Sequence, residues 1–276
     1  MLSEMLRILE SAQECGDMQR PEKETRPFPI WTLWGAFCWG SLAGGAVMAE
    51  TPLPDALEVV RHIDALWRGE TSHADMTMTV KTQHYEREMS LEAWSKGQDY
   101  SLVVIRAPKK DEGVATLKVK DQIWNYLPKI NRVTKVPASM MSGSWMGSHF
   151  TNDDLVKEST FEADYEVSLS EEAGRFLLVF SPRENAAVVW GRVEMWVDGS
   201  SWTPQRAVYY DEDQAPVRTL VFSEPEKIGE RVIPMMMTLQ PTDKPDESTL
   251  LHYHTLTLGV PVSEDWFSLQ ALKGGR

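Results

Sequence analysis

From Ala74 almost to its C-terminus the chain is written in short runs of alternating apolar and polar residues, each closed by turn residues. In "ADMTMTVKT", Met76, Met78 and Val80 alternate with Thr77 and Thr79, and in "EREMSLEAWSKG", Met89, Leu91 and Ala93 alternate with Glu88, Ser90 and Glu92. Successive side chains of a strand point to opposite faces, so each run reads as a strand with one dry and one wet face, the mark of an antiparallel sheet. The pattern continues through "DYSLVVIRAP", "GVATLKVKD", "QIWNYLPK", "NRVTKV", "DYEVSLS", "GRFLLVFSP", "VVWGRVEMWVDG", "PQRAVYYD", "PVRTLVFSEP", "RVIPMMMTLQP" and "STLLHYHTLTLG". These make roughly a dozen strands, which must pair as a sandwich or curl into a barrel. No repeat of fixed period and no Pro/Gly/Ser linker divides them, so residues 50–276 read as one domain.

Ahead of the strands, "LPDALEVVRHIDALWRG" sets Leu53, Ala56, Val59, Val60, Ile63, Leu66 and Trp67 on one stripe, with Pro54 near its start and Gly69 after its end. This predicts an amphipathic helix packed against the sheet. Two breaks interrupt the strands. One is "MMSGSWMGSHF", residues 140–150, with the following "TNDDLVKES"; the other is the final "EDWFSLQAL". "TNDDL" reads as a capping box opening a short helix, with Thr151 and Asp154 reciprocally satisfying its first amides.

The apolar stretch from Ile30 to Val47 ends in the small-x-small pattern Val47, Met48, Ala49, and reads as a secretory signal cleaved after Ala49. A single membrane anchor is the rival reading, since spanning takes ~20 residues. Gly35, Gly40, Gly44 and Gly45, with no basic flank after the stretch, favour cleavage. Residues 1–49 are therefore assigned as an N-terminal extension and signal peptide, with translation starting at Met1 or Met18, and the mature protein is expected in the periplasm. Cys15 and Cys38 both fall in the removed part, which leaves no disulfide.

Formal charge is -13, and no basic run exceeds Lys109 and Lys110, which argues against nucleic acid as a partner. Nucleophile-elbow, phosphate-loop and zinc-protease motifs are absent from the sequence, and no catalysed reaction and no cofactor are expected. His252 and His254 in "LHYHT" share a strand face and could share a cation, but read better as solvent-facing residues. Asp211, Glu212 and Asp213 read as a charged hairpin tip, and Asp153 and Asp154 as helix N-terminal charges. His149 stands beside the apolar break with no partner legible nearby.

The first break carries the strongest functional signal. Gly143 and Gly147 deny it regular structure while Met140, Met141, Trp145, Met146 and Phe150 need a dry surface to dock on. A flap over an apolar cavity satisfies that, with methionines adapting to varied ligands. On this reading Trp145 is removable without much loss of stability. The blocks "IRAPKKDEGVATLKVKDQIWNYLPKINRVTKV", "GSWMGSHFTNDDL" and "VSEDWFSLQAL" resemble the outer membrane lipoprotein-sorting proteins, the LolA-like group. The resemblance runs from Pro54 to Leu272 and rests on Pro108, Gly113, Asp121, Trp124, Tyr126, Pro128, Arg132, Gly147 and the run Asp153, Asp154, Leu155.

That resemblance implies a mainly β fold: a strongly curved antiparallel sheet, a half-open barrel of the LolA/LolB kind, its concave face covered by the N-terminal helix and short helices and loops around an acyl-chain cavity. Where the group has a lid-fixing arginine on an early strand, this chain has Lys96 in "EAWSKG". Expected cavity and flap residues are Met78, Leu91, Val104, Leu117, Trp124, Tyr126, Met140, Met141, Trp145, Met146 and Phe150. The expected function is a soluble periplasmic carrier or chaperone that holds lipid or lipoprotein acyl chains between an inner-membrane export pump and the outer membrane, with transient membrane contact. The alternative is a periplasmic protein-binding or sensor module on the same fold, with no transported lipid.

Overall fold

The alternating runs pair as the strands of one antiparallel sheet. In the computed structural model, residues 53–157, 161–186 and 188–274 are described, so the extension, signal segment and cleavage site expected within residues 1–49 lie outside the described residues. The strands are β1 (Thr71–Lys81), β2 (Glu86–Lys96), β3 (Tyr100–Ala107), β4 (Ala115–Val119), β5 (Gln122–Leu127), β6 (Arg132–Lys135), β7 (Tyr165–Glu172), β8 (Arg175–Pro182), β9 (Arg192–Asp198), β10 (Pro204–Tyr210), β11 (Pro216–Ile228), β12 (Arg231–Pro241) and β13 (Ser248–Leu258). Their hydrogen-bonded order is β6-β5-β4-β3-β2-β1-β13-β12-β11-β10-β9-β8-β7. Two meanders thus meet where β1 pairs with β13, and the sheet stays open because its edges, β6 and β7, do not pair.

The sheet is strongly curved. Ser101 and Val103 of β3 and Phe180 of β8 line one cavity, although nine strands separate them inclusively in the order. At ~4.8 Å per strand a flat sheet would hold them roughly 38 Å apart. Only a sheet curled around the cavity brings both to one small space.

Each covering element starts where local chemistry allows. Helix α1 (Ala56–Ala65) is capped by Asp55, whose carboxylate accepts from the Leu57 and Glu58 amides at 2.9 and 3.1 Å. Its buried stripe is Val59, Val60 and Ile63, continued by Leu66, whereas Leu53 lies exposed ahead of the cap. Helix α2 (Asn152–Lys157) opens on the expected capping box: Thr151 donates its amide to Asp154 Oδ2 at 2.7 Å, and Asp154 donates its amide to Thr151 Oγ1 at 3.2 Å. A single helical turn, α3 (Phe161–Asp164), follows. Among the described residues no helix is long and apolar enough to cross a membrane.

Two apolar cores lie on opposite faces of the sheet. The larger, on the concave face, gathers α1 with Met76, Met78, Met89, Leu91 and Ile105 and the inner residues of β8–β13. The smaller joins Trp94, Leu102, Val104, Ala115, Leu117 and Tyr126 to Phe267 and Leu272, with Trp124 packed against it. Phe267 ends a 3-10 turn (Glu264–Phe267), and Leu272 belongs to α4 (Leu269–Gly274), so the C-terminal segment covers the outer face of β2–β5. Rings pack across this seam, Trp94 against Trp266 at 6.2 Å and Tyr100 against Phe267 at 5.4 Å between centroids.

Four expected cavity residues therefore require correction: Val104, Leu117, Trp124 and Tyr126 sit in the outer core. Register shows why. Leu91 opposes Ile105, so Val104 opposes Glu92 and shares the outer face; Ala115, Leu117, Trp124 and Tyr126 follow rung by rung. In β3 both faces are dry, so Leu102, Val103, Val104 and Ile105 show no alternation from which the inner face could be read. Truncating Phe267 tests the outer core: Phe267→Ala should destabilise the protein by about 3 kcal/mol in denaturant unfolding, and an unchanged midpoint would mean that the C-terminal segment adds nothing to the sheet.

Candidate functional site

The chain crosses the concave face between β6 and β7, which are consecutive in sequence and are the two opposite edges of the sheet. The described residues 136–157 and 161–164 belong to that crossing and are fastened strand by strand. Trp145 donates its indole N–H to Thr116 Oγ1 on β4 at 3.1 Å. Arg87 on β2 donates to the Met146 carbonyl at 3.4 Å. His149 donates its amide to Thr249 Oγ1 on β13 at 3.0 Å, and its ring contacts Thr249 Oγ1 at 2.8 Å and Glu247 Oε2 at 3.2 Å. Arg218 on β11 grips Asp154 with both guanidinium nitrogens, at 2.8 and 2.6 Å. Phe161 packs on Phe180 of β8 with centroids 4.8 Å apart. These anchors follow the order of the strands beneath them.

Within the crossing the segment folds on itself. Asn152 donates its side-chain amide to the Met140 and Gly143 carbonyls, and Trp145 and Phe150 are bridged by the Trp145 amide. The turn between them needs left-handed backbone at Met146 (φ 51°) and Gly147 (φ 73°), a conformation glycine adopts without strain. Trp145 is only 5% exposed. The expectation of a loose flap tryptophan is thereby corrected: Trp145 is a packed and hydrogen-bonded part of the roof.

The Arg218 side chain is the fastening that both pairs its charge and stacks on rings. It lies between the rings of Trp190 and Tyr209, with its guanidinium carbon 4.3 and 4.2 Å from their centroids, and is buried with its carboxylate partner almost enclosed. A planar guanidinium can stack on aromatic faces and bind a carboxylate with two bonds at once, which an ammonium cannot. Lys96, at the place where the family resemblance puts an arginine, instead pairs with Glu264 of the C-terminal segment at 2.6 Å. Sequence reasoning missed Arg218, because nothing local in "PVRTLVF" marks its charge as inward-facing.

Beneath the roof lies a cavity of about 210 Å³. Its walls are Val60, Ile63 and Trp67 of the α1 segment, Ala74 and Met76 of β1, Ala93 of β2, Val103 of β3, and Met195, Leu220, Phe222, Met237 and Leu251 from the far meander. Trp67 is held in place by its indole N–H on the Pro234 carbonyl at 3.0 Å and by stacking on Phe222. Ala74 and Ala93 are direct cross-strand partners, and these two small side chains leave the space open.

Of the residues expected from sequence, Trp145 and Phe150 line this cavity. Met78 and Leu91 are buried in the same core without reaching it, and Met146 packs against that core. Met140 is 59% exposed, and Met141 is half-buried in the crossing. The methionines that do line it are Met76, Met195 and Met237, of which Met237 belongs to the "MMM" run. His149 has the partners that the local sequence withheld. Asp211 closes the expected hairpin tip, accepting the Ala215 amide at 2.9 Å.

His252 and His254 stand with rings 4.6 Å apart, His252 facing Glu224 and His254 facing Thr77. Among the described residues, His73, Asp75 and Glu92 bring ligand-type atoms within 4.8 Å of one another on the outer face, but Arg106 also binds Glu92 at 2.7 Å and competes there with a cation.

A family model described as "-like: Uncharacterized protein" matches residues 97–274. No curated protein matches the chain. Among solved structures, a DUF1329 family protein from Desulfovibrio piger superposes with a TM-score of 0.72 at 23% identity, covering 79% of this chain and 97% of that one. A domain described as an outer membrane lipoprotein-sorting protein, from Vibrio parahaemolyticus, gives 0.69 at 23% identity over 79% and 98% of the two chains. A LolA superfamily protein from Nitrosomonas europaea gives 0.65 at 18% identity over 78% and 98%. The fold is thus shared with LolA-like proteins.

Two outcomes test the fastening of the roof. Asp154→Asn, which takes the doubly bonded carboxylate away from a buried guanidinium, should cost about 3 kcal/mol and speed amide exchange across residues 140–155; unchanged exchange would show that the pair does not hold the crossing. The Glu247 carboxyl is held below its ordinary range first by the hydrogen bond from His149 and then by the Gln83 amide. A depressed folded value means that the carboxylate stabilises the fold above the unfolded value and loses that effect as pH falls through the folded value, beneath ~4.3. Glu247→Gln should therefore flatten the acid limb of a melting-temperature profile.

Proposed function

We propose that this chain, which belongs to the family of uncharacterised proteins matched over residues 97–274 and has the LolA-like fold, is a periplasmic carrier that shelters an acyl chain of a lipid or lipoprotein while it passes between membranes. The observation that carries the reading is the cavity: an apolar space of about 210 Å³ persists under a roof fastened at several strands. A close-packed interior ordinarily leaves few voids larger than a water molecule. An apolar cavity of ~150 Å³ already takes benzene.

The energetics favour enclosure over a surface patch. A C16 chain exposes ~15 methylene or methyl groups worth ~0.8 kcal/mol each, so roughly 12 kcal/mol must be sheltered during the crossing. A curved sheet with a roof surrounds the chain, while a flat patch leaves half of it wet. Pockets for drug-sized ligands run ~300–1,000 Å³, so the present cavity is the resting state, and a long chain enters as α1 or the crossing segment gives way. The binding is non-covalent and no chemistry is catalysed. The donor is an inner-membrane export pump, and transfer takes place at transient membrane contact.

Filling the cavity from its floor separates this role from mere packing. Ala93→Phe should abolish uptake of a fluorescent fatty acid while leaving the melting temperature unchanged or raised. Undiminished uptake by a folded Ala93→Phe protein would sink the carrier reading. Native mass spectrometry of gently purified protein should also show a lipid mass that this variant lacks.

A further inference from the structure

Apart from the side chains that fasten the roof, Arg87, Thr116, Arg218 and Thr249, the concave face carries one further polar rung. Register places Ser72 of β1 opposite Ser95 of β2, Ser95 opposite Ser101 of β3, and Ser101 opposite Lys118 of β4. All three serines line the cavity. Ser72 and Ser95 are 6% and 7% exposed, and their hydroxyl oxygens lie 2.6 Å apart. Lys118, 3% exposed, donates its ammonium to the Gln98 carbonyl at 2.7 Å. Asp64 and Arg68, at and just past the end of α1, line the same cavity. The adjacent rung runs through Ala74, Ala93 and Val103 to Thr116, the anchor of Trp145.

A cavity built only for hydrocarbon gains nothing from this rung. Two hydroxyls carry two hydrogens, and the bond between Ser72 and Ser95 uses one of them; the other is left for an acceptor beyond the pair. Buried hydroxyls facing a saturated chain would lose water without replacement, which is unfavourable. A carboxylate or an ester carbonyl is acceptor-only and matches serine hydroxyls.

We propose that the serine rung is a headgroup subsite: the cavity takes an acyl chain ending in an oxygen acceptor, held at Ser72, Ser95 and Ser101, with the hydrocarbon lying over Ala74 and Ala93. This rests on the acyl-carrier reading and adds polarity to it, because the chain can enter in only one direction. The bound class is an acyl oxygen compound, a free fatty acid or an acyl ester, and bare alkanes are poor ligands.

The test compares palmitate, methyl palmitate and hexadecane, each displacing aminoanthracene from the full folded protein and from the Ser72→Ala/Ser95→Ala variant, with melting temperature as the folding control. The intact protein should prefer the oxygenated probes. The variant should lose about tenfold in affinity for them and keep its affinity for hexadecane. If palmitate and methyl palmitate fall together, the carbonyl is the recognised group; if palmitate alone falls, the charge is. Ser101→Ala, a second variant on the same rung, should show the same selectivity. Equal affinities for all three probes in the intact protein, or an equal loss of all three in a folded variant, overturn the subsite while leaving the carrier reading standing. Failure of every probe to bind the intact protein overturns both.

Discussion

One topological constraint organises this molecule: the two edges of its sheet are neighbours in sequence. A chain that finishes β6 at one rim and begins β7 at the other cannot make the link with a short turn, and here it traverses the concave face. The traverse carries backbone polar groups across an apolar surface, so it has to supply its own hydrogen bonds or take them from the strands below. It does both, through internal bonds from Asn152 and the Trp145 amide and through anchors at Thr116, Thr249 and Arg218. Roof and floor are thereby built from one continuous sheet and its own connection.

The same constraint explains why a void survives. The anchors fix the height of the roof where Trp145 meets Thr116 and where Asp154 meets Arg218, so the segment cannot settle onto the small floor residues Ala74 and Ala93. A buried ion pair is a weak source of net stability, but it is specific about geometry, and removing one partner is costly. Stacking of Arg218 between Trp190 and Tyr209 restricts the guanidinium further. Rigidity of the crossing then directs attention to α1. Its fastenings include the Trp67 indole on Pro234, the Arg231 guanidinium on the Ala65 carbonyl, and an exposed ion pair between Arg61 and Glu162.

The outer core gives the sheet a second dependence. With the C-terminal segment bound across β2–β5, one end of the curved sheet is dry on both faces, while β1 and β13 present His73, Asp75, His252 and His254 outward. The doubly covered end is the one that carries the serine rung and the first anchor of the roof. Packing on the outside therefore holds the strands on which the cavity's polar end is built.

Local pattern was enough for a great deal. Period-two alternation marked the strands, Thr151 and Asp154 marked the start of α2, and the apolar stripe with its following glycine marked α1, because each signal is written within a few consecutive residues. The glycine-broken segment was also legible as a cover. Which side each strand turned to the cavity was not, since a parity error is invisible in a run such as Leu102 to Ile105 that is apolar on both faces. Nor were the partners: Asp154 finds Arg218 across 64 residues of sequence, and His149 finds Thr249 across 100. By itself the sequence determined the elements and the need for a roof, for those follow from short-range periodicity and from greasy side chains that water rejects. Tertiary structure alone decided the facing of the strands, the grip on the crossing and the shape of the hollow, because these depend on register and edge position, which exist only once distant strands have paired.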